Sequence, residues 1–322
     1  MRVLVTGGAG FVGSVVAAEL LASGNRVTVL DDLSTGHRDA VPAGADFVHG
    51  SISDAAAALA VTSFDAVIHC AAKSLVAESV SSPEAYWSTN AAGSLALLES
   101  MRRNDVRRIV FSSTAATYGE PAQVPILESS PARPTNAYGA SKLAVDHMLT
   151  SYAAAYDFAA VSLRYFNVAG AYLTADAAFG ERHATETHLI PIALQVAGGQ
   201  RPYLEIHGTS YPTPDGTCIR DYIHILDLTD AHLRALDRAR GGEHLICNLG
   251  SGAGSSVREV IESVRRVTGQ SVPTQEGPPR PGDPAILIAS NALAQRELGW
   301  RPSRDIDEII SDAWAFAQRI NR

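Results

Sequence analysis

The chain has 322 residues, 46% of them hydrophobic, with a formal net charge of −8. That length supplies one large core, or a large and a small domain sharing one, and the acidic balance without any Lys/Arg run argues against nucleic acid as a partner. The opening MRVLVTGG enters a strand at once rather than a signal peptide, and no apolar stretch is long enough to span a bilayer, so a cytoplasmic protein with no membrane partner is expected.

The first half of the chain alternates two textures. Short β-branched runs occur at RVLVT, RVTVLD, DFVHG, FDAVIHC, RRIVFSS and AAVSLRYF. Helix-like stretches such as FVGSVVAAELLASG and PEAYWSTNAAGSLALLESMRRN lie between most of them. Continuously apolar strands imply burial on both faces, as in a parallel sheet, and the alternation implies βαβ units. The expected fold class is therefore α/β, a Rossmann-type doubly wound parallel sheet.

The first strand runs into TGGAGFVG, where Gly7, Gly10 and Gly13 are spaced G-x-x-G-x-x-G. A glycine turn lets a pyrophosphate approach the backbone, and the helix N-terminus that follows favours an anion. Asp31, at the end of the next strand, stands where an acid meets the adenosine ribose hydroxyls; the plainer reading is that Asp31 and Asp32 cap a loop. An acid there repels a 2′-phosphate, so NAD is preferred to NADP, with Arg38 nearby as the one contrary sign. Further on, a strand over 106–112 ends in FSST, which puts Ser113 and Thr114 at the carboxyl end of the sheet. NAYGASK then places Tyr138 and Lys142 at i and i+4 on one helix face, where an ammonium would favour the phenolate.

After about residue 166 Pro/Gly-rich loops become common, with helices expected at about 187–198, 226–240, 255–268 and 290–298 and strands near YLEI and HLICNLG. This reads as a smaller C-terminal α/β substrate-binding lobe. The expected division is 1–166 for the dinucleotide-binding domain and 167–322 for the lobe, with about 221–250 packing back on the large domain. Cys70, Cys218 and Cys247 are scattered without a metal-type or disulfide spacing, so they read as buried thiols and no metal site is expected.

TGGAGFVG, FSST, YGASK and RYFNVAG together resemble the extended branch of the short-chain dehydrogenase/reductase family. PTPDGTCIRDYIHILDLTDAH and NLGSG narrow the likeness to members that epimerise C4 of a UDP-sugar, over nearly the whole chain. The resemblance implies catalysis by Tyr138, Thr114 and Lys142. It implies NAD contacts at Gly7, Gly10, Phe11, Val12, Gly13, Asp31, Asp32, Ser34, Thr35, Gly36, Ser51, Ile52, Cys70, Ala71, Ala72, Lys73, Asn90, Ser112, Tyr165 and Phe166, besides Tyr138 and Lys142. Substrate contacts are implied at Thr114, Tyr138, Asn167, His188, Leu189, Glu205, Ile206, His207, Arg220, Arg280, Asp283 and Leu287. A homodimer through helices around 83–103 and 137–157 is typical of that family.

Three positions depart from the family pattern. Ser51 replaces the aspartate that meets the adenine amino group, and Lys73 sits one place before the usual lysine. Leu287 stands where a residue gates N-acetylated sugars. Ala115 and Ala116 replace the acid pair that a 4,6-dehydratase uses. A UDP-N-acetylhexosamine, UDP-pentose or UDP-hexuronate as substrate, a nucleotide-sugar dehydratase, against which the two alanines speak, or decarboxylase, and a non-catalytic NAD-binding regulator are the competing readings.

Overall fold

The structure, a computed structural model, describes residues 1–280 and 283–320. Its central sheet has seven strands: β1 (Arg2–Thr6), β2 (Arg26–Asp31), β3 (Asp46–His49), β4 (Ala66–His69), β5 (Arg108–Thr114), β6 (Ala159–Tyr165) and β7 (His244–Leu249). They lie in the order β7-β6-β5-β4-β1-β2-β3, and every neighbouring pair is parallel. The expected doubly wound sheet is thus observed. The winding reverses between β1 and β4, and at such a point a crevice opens outside the carboxyl ends of the strands.

Alternation of side chains explains why these strands read as unbroken apolar runs. Val3 and Val5 of β1 belong to one core and Leu4 to the other; Ile68 and Val67 of β4 divide in the same way. The longer helices are α1 (Phe11–Ala22), α2 (Gly93–Arg103), α3 (Ala137–Tyr156), α4 (Leu189–Ala197), α5 (Ile225–Arg238), α6 (Val257–Thr268) and α7 (Ile306–Ile320). Val15, Val16 and Leu20 of α1 cover the first face together with Leu228, Ala231 and Ala235 of α5. Leu97, Leu98 and Met101 of α2 cover the second with Val145 and Leu149 of α3. No described helix is long and apolar enough to cross a membrane.

Two features differ from the sequence expectation. The stretch read as one helix over 83–103 is composite: a short helix at Pro83–Tyr86, a π-helical turn at Trp87–Ala92, then α2. A π turn inserts one residue into the helical register, which shifts the face that follows it. The second addition is α7, absent from the predicted elements. Its Ile309 and Ile310 join Ile190 and Leu194 of α4 and Val260 and Val264 of α6 in a third core.

Short strand pairs build the rest of this lobe. Asn167–Ala169 lies parallel to Tyr222–His224, and Leu204–His207 lies parallel to Thr274–Gly277. Ile219–Arg220 is flanked by Ser255–Ser256 and Ile286–Leu287. The buried Asp221 ties these pieces together. Its carboxylate accepts the Ser251 amide (2.5 Å), the Ser251 hydroxyl (2.6 Å), the Ala289 amide (2.9 Å) and the Gly252 amide (3.1 Å).

Candidate active site

The glycine loop after β1 is sterically fixed. Gly7 has φ of +71°, and a Cβ there would come within 2.6 Å of the Ala71 nitrogen. A Cβ at Gly13 would run into the Gly7 carbonyl, so α1 rests on the loop through bare backbone. Gly10 is the N-cap of α1 and supplies no side-chain cap. The first amides of α1, those of Phe11 and Val12 among them, therefore have no intrahelical acceptor and suit an anion.

Asp31 closes this cradle. It is 7% exposed, and its oxygens accept the amides of Ala9 (2.9 Å) and Leu33 (2.8 Å). Burial raises its pKa against the pull of those two bonds. Asp32 accepts the Ser34 amide (2.9 Å) and hydroxyl (2.6 Å), so residues 31–36, Thr35 and Gly36 included, wrap the glycine loop. Arg38 stacks its guanidinium 4.4 Å from the Phe47 ring centroid. The amide and hydroxyl of Ser51 donate to Asp54 Oδ2 at 3.1 and 2.9 Å, closing a capping box over the 3-10 turn Ile52–Asp54. A cradle that a side chain would fill, free helical amides and a fixed acid at the end of β2 together fit a dinucleotide.

The loop after β4 carries Cys70, Ala71, Ala72 and Lys73. Asn90 holds it from both sides: its Oδ1 accepts the Lys73 amide (2.9 Å) and its Nδ2 donates to the Lys73 carbonyl (3.0 Å) and to Ser141 Oγ (3.0 Å). Asn90, which lies in the π turn, thus braces this loop to α3. Lys73 pairs with Glu78 at 2.9 Å, and Glu78 also accepts the Tyr86 hydroxyl at 2.9 Å.

NAYGASK folds as the start of α3 for identifiable reasons. Asn136 caps the helix by accepting the Gly139 amide at 2.9 Å. Gly139 has no Cβ because one would strike the Ala116 carbonyl, so α3 begins hard against the 3-10 turn Ala115–Tyr118 that follows β5. That approach brings the Tyr138 hydroxyl into hydrogen-bonding reach of Thr114. Thr114 also accepts the Ala116 amide at 3.1 Å. The Tyr138 ring meets Tyr86 edge-on, with centroids 6.3 Å apart.

One expectation is corrected here. Lys142 was expected to lower the Tyr138 pKa, but burial raises it, with the Thr114 hydrogen bond opposing. Sharing a helix face does not fix where an ammonium points. Nζ of Lys142 donates to the Ser112 carbonyl (2.8 Å) and lies 4.7 Å from the Phe111 centroid. Burial depresses its own pKa to about 8. Beneath the pair, Ser112 Oγ lies 3.2 Å from Cys70 Sγ and 2.9 Å from His232 Nε2, and burial pushes the Cys70 thiol up to about 11. Tyr165 reaches the same serine and is pushed far above its ordinary value by burial. Phe166 follows it, its amide donating to the Leu249 carbonyl at 3.3 Å.

The residues implied for substrate divide into groups. Asn167 starts the strand beside Tyr222, and its amide donates to the Asp221 carbonyl at 2.9 Å. Arg220 forms an ion pair with Asp283 and stands in register with Leu287. Arg280 and Asp283 line a cavity of about 530 Å³ with Tyr211, Pro279 and Ile286. Glu205, Ile206 and His207 lie on the strand Leu204–His207, the Glu205 carboxylate 3.7 Å from the His207 ring. Leu189 opens α4, whereas the His188 ring turns to Glu181 and Glu186.

Residues 3–250 match the model of the NAD dependent epimerase/dehydratase family. The chain belongs to that family. A relative from Streptomyces lividans named UDP-glucose 4-epimerase is 58% identical over 98% of this chain and 95% of its own length. The crystal structure of UDP-glucose 4-epimerase from Brucella ovis in complex with NAD superposes with a TM-score of 0.92, at 44% identity over 98% of this chain and 97% of that one. The Bifidobacterium longum UDP-glucose 4-epimerase in complex with NAD⁺ and UDP gives a TM-score of 0.93, at 34% identity over 99% and 98%. The NAD dependence of the family agrees with the cradle around Gly7, Gly13 and Asp31.

Two sets of residues escaped the sequence reading of this epimerase/dehydratase family member. The Tyr211 hydroxyl is buried without a hydrogen-bond partner among the described residues, close enough to Asp283, Arg220 and Arg280 to feel their charges. No motif marked it, since SYPTPDG reads as turn. Glu181, His183 and Glu186 gather around His188. The signal available was their spacing, E-x-H-x-x-E-x-H, in a stretch whose texture reads as loop.

Proposed function

We propose that this chain interconverts UDP-galactose and UDP-glucose by inverting C4 of the bound sugar. The observation that carries this is the buried Tyr138 phenol within reach of Thr114 at the carboxyl end of the sheet, beside the dinucleotide cradle and on the same helix as the buried Lys142. When bound, the nicotinamide supplies the hydride acceptor and donor for C4 and a positive charge beside the phenol. Tyr138 takes the proton of the 4-hydroxyl through its phenol oxygen, and Thr114 hydrogen-bonds the same sugar oxygen. Lys142, held by the Ser112 carbonyl, fixes the floor beneath the phenol.

Arg220 and Arg280 hold the diphosphate, since guanidinium forks match phosphate oxygens, and Asp283 takes the uridine ribose. Asn167, Leu189 and the strand from Glu205 through His207 complete the nucleotide end. Anchoring far from C4 leaves the hexose free to turn, so the 4-keto sugar offers its other face and Tyr138 returns the proton to an oxygen of inverted configuration. Leu287, in register with Arg220, sets the room beside the sugar. Proton NMR of UDP-galactose with the enzyme and no added NAD tests the reading. UDP-glucose is expected to accumulate; unchanged sugar with NAD retained would favour a regulator that kept the fold.

The working unit we propose is a homodimer in the cytoplasm. Trp87, Leu95 and Tyr156, on the expected dimer helices, are 45%, 43% and 44% exposed, a large apolar display for a free surface. Leu95→Glu is expected to shift light-scattering mass from two chains to one; an unchanged mass places the interface elsewhere.

A further inference from the structure

Glu181, His183, Glu186 and His188 occupy the segment between the strand Ala178–Gly180 and α4. One ligand atom from each lies within 4.8 Å of all the others. His183 Nδ1 is 3.3 Å from Glu181 Oε1 and 3.3 Å from Glu186 Oε2. His188 Nδ1 is 3.5 Å from Glu186 Oε1 and touches Glu181 Oε1. The edge of a tetrahedron is about 1.6 times its centre-to-corner distance, so zinc bonds of about 2.0–2.2 Å require donors about 3.3–3.6 Å apart. Three of the nitrogen–oxygen separations fall in that range, two of them to different oxygens of Glu186, and the His188–Glu181 contact would open to the same length on binding an ion.

Charge points the same way. The Glu181 and Glu186 side chains are 8% and 5% exposed, and among the described residues neither pairs with a Lys or Arg. Arg182, between them, turns instead to Asp39. Two adjacent buried carboxylates need a counter-charge, and two imidazole nitrogens already face the same centre. Glu186 is itself oriented, its Oε1 accepting the amides of Thr187 and His188 at 2.8 Å each, as outer-sphere bonds orient a ligand.

We infer that Glu181, His183, Glu186 and His188 form a structural zinc site. Two imidazoles and two carboxylates in a closed four-donor shell suit Zn²⁺ better than Mg²⁺ or Ca²⁺, which take more oxygen ligands, and leave no open position for substrate. The site fastens a junction. Arg182 pairs with Asp39 at 2.7 and 3.0 Å, and its carbonyl lies 3.2 Å from His37 Nε2, both on the loop after β2; His188 is the N-cap of α4. Zinc would lock the wrap around the dinucleotide cradle to the helix at the nucleotide-sugar end.

The test uses tag-free full-length protein. Zinc content is measured by mass spectrometry as purified; chelator-treated protein is then titrated with Zn²⁺ against a chromophoric chelator while Tm is followed. About one zinc per chain is expected, with Tm rising on zinc addition and not on Mg²⁺. His183→Ala, at a half-buried position, and Glu186→Gln as a second variant are expected to lose at least tenfold in zinc affinity and the Tm response while keeping their far-ultraviolet circular dichroism. Equal zinc binding by wild type and both variants, no Tm response, or an equal response to Mg²⁺ would overturn the assignment. In the first two cases protons on the histidines, rather than a metal, neutralise the carboxylates.

Discussion

Tyr138→Phe is expected to cut turnover of UDP-galactose by on the order of 10²- to 10⁴-fold while folding and NAD binding persist. The substitution removes one oxygen. The ring keeps its edge-on contact with Tyr86, and the hydroxyl is not a structural brace, since the partner it reaches is Thr114. A turnover near that of wild type would show that another group handles the proton. The same variant isolates the phenol in a spectroscopic titration. Burial raises the Tyr138 pKa, so without NAD the wild-type minus variant phenolate signal is expected at higher pH than for a free tyrosine.

Lys142 does not direct its charge at that phenol in this arrangement. Its pKa is depressed to about 8, so it loses its charge before the phenol titrates, and its ammonium is directed at Ser112. A fixed positive charge supplied with the dinucleotide is the remaining source, because an adjacent cation favours the phenolate. Adding NAD is therefore expected to move the difference signal to lower pH. An unmoved signal would mean that Lys142 must swing toward the phenol during turnover.

The central sheet was legible because its strands are buried on both faces. VLVT and FDAVIHC carry no polar alternation to confuse them, and the glycine spacing before α1 names its own geometry. The pairing partner of β7 was less so: HLICNLG reads as a strand, but its neighbour β6 is 84 residues earlier in register, where His244 pairs with Ala160 across the short strand pairs and helices built in between. The π turn at Trp87–Ala92 was illegible, since a single inserted residue leaves the apolar pattern of a helix intact on either side. Asn90 lies in that turn, and its bonds to Lys73 and Ser141 were not visible in the spacing. Side-chain direction is also what hid the Lys142–Ser112 bond and the Glu181 to His188 cluster. Spacing gives the face of a helix or the run of a loop; the acceptor waiting there comes from another strand.

Asp146→Ala is expected to cost about 3–5 kcal/mol of stability in chemical denaturation. Asp146 lies one turn after Lys142 on α3 and pairs with Arg164 of β6 at 2.7 Å, with side chains 2% and 5% exposed. Arg164 also donates to the Tyr118 hydroxyl at 3.0 Å, and Ser113 Oγ lies 3.4 Å from the same Asp146 oxygen. Truncating the acid leaves a guanidinium buried without its counter-charge, which costs more than the pair contributes. The other Asp146 oxygen has no partner among the described residues, so the pair is imperfectly rewarded for its desolvation. The double variant Asp146→Leu/Arg164→Met is therefore expected to recover most of the loss; additive costs in the two single variants and the double would refute the buried-pair account. Asp146 also props up the Lys142 pKa against burial. Without it Lys142 deprotonates below about 8, so any activity that needs its charge is lost at lower pH in the double variant than in wild type. An alkaline limb of kcat/KM that stays in place would separate the stability of this brace from the electrostatics of the site it supports.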